Sequence, residues 1–222
     1  MDPSYYLTHI VSKFNEIQNT SQVNVNLDVP IYGRYPDIPR VLTLNHPELI
    51  EIFARILRPQ RYLELGIQFC EVIKRMIDVC PNVYGVDIQS NEHIEKYQNR
   101  FKFYNMSTTD FLKDVLRNNP EFNNSENKEF FDMVFIDADH SHSSSLSDFD
   151  MVFDYVKDHG FIFLHDTYPI SQRWTDPGLC NDCYKTADYI KKNYMDKCEI
   201  LTIPVNPGLS IVRKCKKHIH WL

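Results

Sequence analysis

The sequence predicts an α/β protein with a doubly wound, mostly parallel sheet of seven strands and a C-terminal antiparallel hairpin. First, stretches with helical apolar spacing alternate with short apolar runs from residue 46 onward, a pattern typical of βαβ units. Second, Met133–Ile136 is a continuous apolar run, as expected for a parallel strand that is covered on both faces. Third, the last two apolar runs are too close together to enclose a helix, so they must pair as a hairpin.

The elements follow in a regular order along the chain. Helices are predicted over residues 47–57, 70–80, 109–117 and 144–156. Strands are predicted over residues 61–66, 83–87, 102–105, 132–137 and 160–165, and the hairpin over residues 198–205 and 208–215. Residues 118–129 are rich in asparagine and lack apolar periodicity, which predicts an exposed loop. Right-handed crossovers between the parallel strands would place helices on both faces of the sheet.

Residues 1–43 are predicted to form an N-terminal helix and a loop-rich lead-in, followed by one domain over residues 44–222. Asp2 and Pro3 make a good helix start, because a capping side chain precedes a residue whose fixed φ suits the first turn. Apolar residues at positions 6, 10, 14 and 17 then recur at near-helical spacing. The polar, proline-interrupted stretch 19–40 predicts loops rather than a further domain.

Composition and charge exclude several classes of function. The 222 residues contain 24 Lys and Arg against 30 Asp and Glu, so a nucleic-acid-binding surface is not expected. No stretch approaches the roughly 18 apolar residues of a membrane span, and the start lacks a leader pattern. We therefore expect a cytoplasmic protein with no membrane partner. The six cysteines are scattered, which favours reduced thiols. Cys180 and Cys183 could be half of a zinc site, but no second pair accompanies them, so we interpret them as loop thiols.

Two predicted strands end in residues that suit an adenosine-type cofactor. Gly66 follows the first strand and lets the backbone approach a ligand. Asp87 ends the second strand, where its carboxylate can hold ribose hydroxyls. Gly66 is the only glycine in the loop that runs to Cys70, whereas a dinucleotide pyrophosphate needs a fuller glycine-rich turn. A cofactor without phosphates would tolerate this loop.

Two further strands are predicted to end in charged residues at the same edge of the sheet, where open α/β sheets bind their ligands. The side chains that follow these strands are Asp137, Asp139, His140, His142, His165 and Asp166. Some of them have simpler explanations. Asp137 could cap the following segment, and His140 with Asp139 could form a structural hydrogen-bonded pair. We interpret His142 as a solvated loop residue.

The residues described so far make the chain similar to the class I S-adenosylmethionine-dependent methyltransferases. The motifs YLELG, YGVD, NMSTTDFL, VFIDADHSH and FIFLHDT occur in that order between about residues 44 and 214. Within the class, the chain most resembles the small-molecule O-methyltransferases that carry IDADHS and HDT motifs. The resemblance implies S-adenosyl-L-methionine as the cofactor. The cofactor-binding residues that it implies are Glu64 and Gly66 near the methionine part, Asp87 on the ribose, Ser107 and Asp110 beside the adenine, and Asp137.

The resemblance also suggests how the reaction would proceed. The cofactor's methyl group already sits on a positive sulfonium, so the enzyme must align an acceptor and remove its proton. His140 and His165 are the candidate general bases, and Asp137 is the third expected catalytic residue. Alternatively, a divalent cation such as Mg²⁺, held by Asp137 and Asp166, would lower the pKa of the acceptor hydroxyl. Thr167 stands where metal-dependent relatives commonly have an amide or a second acid.

We therefore expect an S-adenosylmethionine-dependent methyltransferase that acts on a hydroxyl of a small molecule or sugar, with a homo-oligomer as a compatible assembly. Two other functions stay open. A NAD-dependent Rossmann oxidoreductase would use the same first strand and Asp87. A binding protein that retains the fold without turnover is favoured by Cys70, which replaces the glycine that relatives usually have.

Overall fold

The computed structural model describes residues 45–122, 128–205 and 207–215. The predicted N-terminal helix and lead-in of residues 1–43 lie outside these ranges, so the division at residue 43 stays a prediction. Within the described ranges, no helix is both long enough and apolar enough to cross a membrane.

A seven-stranded mixed sheet forms the centre of the fold, in the order β3-β2-β1-β4-β5-β7-β6. Its strands are β1 (Arg61–Leu65), β2 (Asn82–Asp87), β3 (Lys102–Asn105), β4 (Phe131–Ile136), β5 (Val156–His165), β6 (Cys198–Ile203) and β7 (Leu209–Lys214). Strands β1 to β5 are parallel, whereas β7 runs antiparallel to both β5 and β6. The predicted fold class, with its C-terminal antiparallel pair, is confirmed.

Helices connect the strands. They are α1 (His46–Leu57), α2 (Ile73–Met76), α3 (Glu92–Tyr97), α4 (Thr108–Asp110), α5 (Leu116–Asn118), α6 (His142–Phe153) and α7 (Tyr184–Asn193). A π-helical segment, Phe111–Val115, joins α4 to α5. The predicted helix over residues 70–80 is wrong in length, since only α2 is helical and turns flank it. Helices α3 and α7 were not predicted. The predicted loop 118–129 is described only in part, and its Phe122 is buried in the core.

Helix α1 begins at a capping box. The Asn45 side chain accepts a hydrogen bond from the Glu48 backbone N–H at 3.1 Å, and the Glu48 carboxylate accepts one from the Asn45 N–H at 3.1 Å. Such a cap stabilises a helix by about 1 kcal/mol. It also fixes the position of His46, the first residue of α1.

The core explains why the central strands are apolar throughout. Leu63 in β1, Val134 in β4 and Ile162 in β5 are fully buried and belong to one apolar cluster. Each such side chain contributes roughly 1.5–3 kcal/mol through burial. The strand register then aligns the ends of the strands: Leu65 pairs with Val86 and Ile136, and Ile136 pairs with Leu164. The residues that follow these pairs therefore meet at one edge of the sheet.

Candidate active site

The turn after β1 brings the ends of β1 and β4 into close contact. Gly66 has φ +88°, and its N–H donates to the Val86 carbonyl oxygen at 2.9 Å. A Cβ atom at this position would lie 2.3 Å from the Asp137 carbonyl oxygen. The Asp137 N–H in turn donates to the Leu65 carbonyl oxygen at 2.8 Å. Only glycine combines this φ with this close approach.

Asp87 holds the loop that follows β1. Its Oδ2 accepts hydrogen bonds from the backbone N–H groups of Ile67 at 2.9 Å and Gln68 at 3.0 Å. Its Oδ1 accepts one from the Gln89 N–H at 2.9 Å. A carboxylate offers about four lone-pair positions, so Asp87 shapes the loop and retains capacity for a further donor.

The same loop contains the departure noted in the sequence. Cys70 has φ +61° and is fully buried. A residue with a Cβ atom costs roughly 1–2 kcal/mol in this left-handed region, which explains why a glycine is the simpler choice. Burial raises the pKa of the Cys70 thiol to about 12, so the side chain packs as a neutral group.

Glu64 is enclosed by protein, with 2% of its surface exposed. The Tyr62 hydroxyl donates to its Oε2 at 2.7 Å, and a backbone hydrogen bond from Ile73 also reaches the carboxyl group. Burial raises the pKa of Glu64 well above its usual value. The structure thus shows Glu64 tying β1 to α2, and its predicted contact with a cofactor stays a prediction.

Ser107 and Asp110 form a cap at the start of α4. The Asp110 N–H donates to Ser107 Oγ at 3.0 Å, and that hydroxyl donates to Asp110 Oδ2 at 2.7 Å. The next residue, Thr108, donates from its Oγ1 to Asp148 Oδ1 of α6 at 3.0 Å. Asn105, at the end of β3, donates to the Asp87 carbonyl oxygen at 3.0 Å. This last bond links the end of β3 to Asp87, one of the predicted cofactor contacts.

A His–Asp cluster lies at the ends of β4 and β5. It consists of Asp137, His140, His165 and Asp166, together with His46 from α1. His165 Nδ1 donates to Asp137 Oδ1 at 2.9 Å, and His140 Nε2 lies 3.8 Å from the same oxygen. The structure therefore brings together the residues that were predicted as catalytic and as metal ligands.

Asp166 is the most constrained member of the cluster. It is 3% exposed, and its φ of +58° places it in the left-handed region. Its Oδ2 lies 2.9 Å from His140 Nδ1, but that nitrogen is aligned on the Leu179 carbonyl oxygen, so Oδ2 has no aligned hydrogen-bond partner. Burial alone would raise the pKa of Asp166. The nearby His165 and His140 imidazoles have the larger combined effect, so the pKa lies below its usual value.

The two predicted bases differ in access. The His140 side chain is 37% exposed, whereas the His165 side chain is 12% exposed and its Nε2 is buried without a partner. The Asp166 carboxylate, with Oδ2 2.9 Å from Nδ1, raises the pKa of His140 to about 9. Burial alone would lower the pKa of His165. The carboxylates of Asp137 and Asp166 have the larger combined effect, so the pKa lies above its usual value. His140 is thus the base that a ligand can reach, and it is charged at neutral pH.

His46 is a site residue that the sequence reasoning missed. Its ring centroid lies 3.8 Å from that of His165 and 5.9 Å from that of Phe135. Burial lowers the pKa of His46 to about 2, so the ring is neutral. No spacing in the sequence links residue 46 with residues 137 and 165, so only the fold could reveal this contact.

Two interpretations of the β4–α6 loop are wrong. Asp139 does not form a structural pair with His140, because its Oδ1 accepts from the Ser141 N–H at 2.8 Å while His140 faces Asp166. His142 is not a solvated loop residue. It begins α6, and its Nδ1 lies 2.9 Å from Thr186 Oγ1.

The segment after β5 contacts the His–Asp cluster through the backbone of His165. Cys180 and Cys183 are both buried, and the Cys183 thiol donates to the His165 carbonyl oxygen at 3.3 Å. Burial raises the pKa of Cys183 to about 12, which disfavours the thiolate that zinc requires. In the described part of the chain, neither cysteine belongs to a group of possible metal ligands.

Two overlapping groups could hold a cation among the described residues. One is His46, Asp137 and His165, and the other is Asp137, His140 and Asp166. Thr167 joins neither group, since its Oγ1 accepts a hydrogen bond from Ser210 Oγ at 2.9 Å.

Comparison with known proteins relates this edge of the sheet to one family. Residues 64–167, from Glu64 to the residue after Asp166, match the family model described as a methyltransferase domain. The predicted resemblance to the class I S-adenosylmethionine-dependent methyltransferases is confirmed. No curated protein matches the chain in sequence.

Solved methyltransferase structures share the fold at low sequence identity. A candidate caffeoyl-CoA O-methyltransferase from Staphylococcus aureus has a TM-score of 0.60 and 14% identity, covering 93% of this chain and 99% of that one. The O-methyltransferase from Bacillus cereus, in complex with SAH, has a TM-score of 0.56 and 15% identity, covering 91% and 90%. MycE of the mycinamycin pathway, in complex with Mg and SAH, has a TM-score of 0.54 and 16% identity, covering 79% and 51%. These likenesses show the common methyltransferase fold.

Proposed function

We propose that this methyltransferase uses S-adenosyl-L-methionine to methylate a hydroxyl group of a small molecule or sugar. The observation that carries the proposal is the meeting of two different sets of residues at one edge of the sheet. The Gly66 turn and Asp87 lie at the ends of β1 and β2, and the His–Asp cluster lies at the ends of β4 and β5. The first set suits a nucleoside, and the second suits removal of a proton.

The cofactor side fits a nucleoside without phosphates. Gly66 lets the turn lie directly against the Asp137 backbone, and Asp87 retains an acceptor position for a ribose hydroxyl. Ser107 and Asp110 are the proposed contacts beside the adenine, and Asp137 is a further one where the two sets meet. Bound S-adenosyl-L-methionine would supply a methyl group on a positively charged sulfur. Glu64 would act from within the protein by fixing the strand end.

The acceptor side can take up a proton at His140. Its exposed imidazole is held by Asp166 and lies close to Asp137, so its orientation is set before an acceptor arrives. Because the pKa of His140 is raised to about 9, the neutral base becomes the major form only at alkaline pH. His165, which is buried behind it, is proposed to orient Asp137 rather than to exchange protons with the acceptor.

A cation held by Asp137 and Asp166 is the alternative means of activating the hydroxyl. MycE was solved with Mg, and oxygen ligands suit that cation. The buried Asp166 Oδ2, which lacks an aligned hydrogen bond, fits such a role. Among the described residues, this group contains two carboxylates, and the hydroxyl of Thr167 already accepts a hydrogen bond from Ser210. If this route operates, turnover will be lost on chelation and restored by Mg²⁺, whereas a base at His140 works without it.

Calorimetry with S-adenosylhomocysteine tests the cofactor. We expect binding to the wild type and weaker binding to Asp87→Ala. Equal binding in both proteins, or no binding to either, would contradict the proposal. A panel of phenols, catechols and sugars, assayed for methyl transfer, then identifies the acceptor class.

The two other predicted functions can be tested in a similar way. NADH titration followed by fluorescence tests the oxidoreductase, which no feature of the Gly66 turn favours. A chain that binds S-adenosylhomocysteine but methylates none of the acceptors would support the non-catalytic binding protein, for which the strained Cys70 is the motivating feature. A cytoplasmic location and a homo-oligomer stay proposals.

A further inference from the structure

We propose that His46, Asp137 and His165 form a binding site for a first-row divalent transition metal of the zinc class. One nitrogen of each histidine and one carboxylate oxygen of Asp137 lie within 4.8 Å of one another. The three side chains come from the start of α1, the end of β4 and the end of β5. The site thus joins a helix to the middle of the sheet.

The donor atoms decide the class of metal. Two imidazoles and one carboxylate suit zinc and its neighbours, which bond to histidine nitrogen at about 2.0–2.1 Å. Tetrahedral ligands at that distance are about 3.4 Å apart, so small side-chain rotations would close the site. Mg²⁺ prefers oxygen ligands and retains several waters, so it is a poor match for a pair of histidines.

The closest pair of possible ligand atoms belongs to His165 and Asp137. His165 Nδ1 donates to Asp137 Oδ1, and the two atoms are 2.9 Å apart. A metal ion would take the place of the shared proton, because this separation is close to that of two ligands on one cation. His46 supplies the third ligand atom, within 4.8 Å of the other two.

The surroundings of His46 hold it in place. The capping box of Asn45 and Glu48 fixes the first turn of α1, and the His46 ring lies against the rings of both Phe135 and His165. Packing of this kind restricts the ring before a metal binds, which reduces the entropy lost on binding.

This site differs from the oxygen-rich group of the proposed reaction. The two groups share Asp137, but His46 and His165 replace His140 and Asp166. The proposal goes beyond methyl transfer and does not depend on it, because metal binding requires neither cofactor nor acceptor. Failure of one proposal therefore leaves the other intact.

The test uses the full chain, freed of metal and titrated with Zn²⁺ by calorimetry and with Co²⁺ by visible absorption. We expect one Zn²⁺ per chain, with Mg²⁺ unable to compete. His46→Gln should weaken Zn²⁺ binding by at least about 100-fold, because loss of a direct ligand exceeds the 10–100-fold that loss of a supporting group costs. His140→Gln should leave the affinity unchanged, and His93→Gln, at an exposed histidine of α3, is the matched control.

Several outcomes would overturn the proposal. Unchanged Zn²⁺ affinity in His46→Gln would do so, as would an equal loss in His140→Gln, which would assign the cation to the group with Asp166. Binding of Mg²⁺ as tight as that of Zn²⁺ would also contradict it. X-ray absorption of the Zn²⁺-bound wild type needs no variant to fold. Two imidazole ligands support the site, and one or none overturns it.

Discussion

The two halves of the candidate site are built in different ways. At the ends of β1 and β2, contacts with the backbone shape the site. Gly66 forms a tight turn, and Asp87 accepts hydrogen bonds from three backbone N–H groups. At the ends of β4 and β5, side chains contact one another, with a strained Asp166 between two histidines. The first half is a shaped loop and the second is a charged cluster. We therefore expect changes in the first half to affect folding and cofactor affinity, and changes in the second to affect chemistry.

The largest effect is expected at Gly66. Gly66→Ala would place a Cβ atom 2.3 Å from the Asp137 carbonyl oxygen at a φ of +88°, so the free energy of unfolding should fall by about 4 kcal/mol. Urea unfolding measures the loss. Gly178→Ala is the matched control, since nothing lies within 4 Å of its added Cβ atom. A loss below that of the control would show that the two strand ends can move apart.

Asp148, which accepts a hydrogen bond from Thr108, should make the stability of the protein depend on pH. It is 2% exposed, and burial raises its pKa to about 7. Between its ordinary pKa and pH 7, the unfolded chain releases this proton while the folded chain keeps it, so wild-type stability falls as pH rises. Asp148→Asn removes this effect.

The Asn variant should gain about 4 kcal/mol over the wild type between pH 4 and pH 8, at about 1.4 kcal/mol per pKa unit. Thermal or urea unfolding across this range measures the gain. Asp114→Asn, at an exposed aspartate of the π-helical segment, is the control and should show none of it. A difference that does not depend on pH would mean that Asp148 is ionised in the folded protein.

Alanine substitutions in each half of the site test whether the shaped loop serves affinity and the charged cluster serves turnover. Asp87→Ala should weaken S-adenosylhomocysteine binding, whereas Asp137→Ala and His140→Ala should lower turnover by about 100-fold with a smaller change in affinity. Calorimetry gives the affinities, and an assay with the best acceptor gives the rates. If His140→Ala and Asp137→Ala turn over like the wild type, the charged cluster takes no part in the reaction.

The smallest effect is expected at the support of His46. Asn45→Ala removes the side-chain acceptor of the capping box and should lower the free energy of unfolding by about 1 kcal/mol. Asn45→Ser should retain most of that stability, because serine also caps helices. Equal losses in both variants would point to a role for the amide beyond capping.

Much of the fold could be predicted, and the failures have physical reasons. The buried parallel strands were found because burial on both faces requires continuous apolar runs. Helix α7 was missed because most of its residues are polar and only Thr186, Ala187 and Ile190 are buried, so no apolar run marks it in the sequence. The helix predicted over residues 70–80 was too long, because Cys70 adopts a positive φ that apolar spacing does not reveal.

By itself, the sequence determined the order of the strands along the chain and the residues at their carboxyl ends. Those follow from local apolar patterns and from glycine and aspartate at strand ends. Only the tertiary structure decided which of those residues touch. His46 reaches His165, Asp166 is left without an aligned partner at Oδ2, and Glu64 turns inward to Tyr62. Such contacts depend on helix packing and strand register, which join residues that are far apart in the chain.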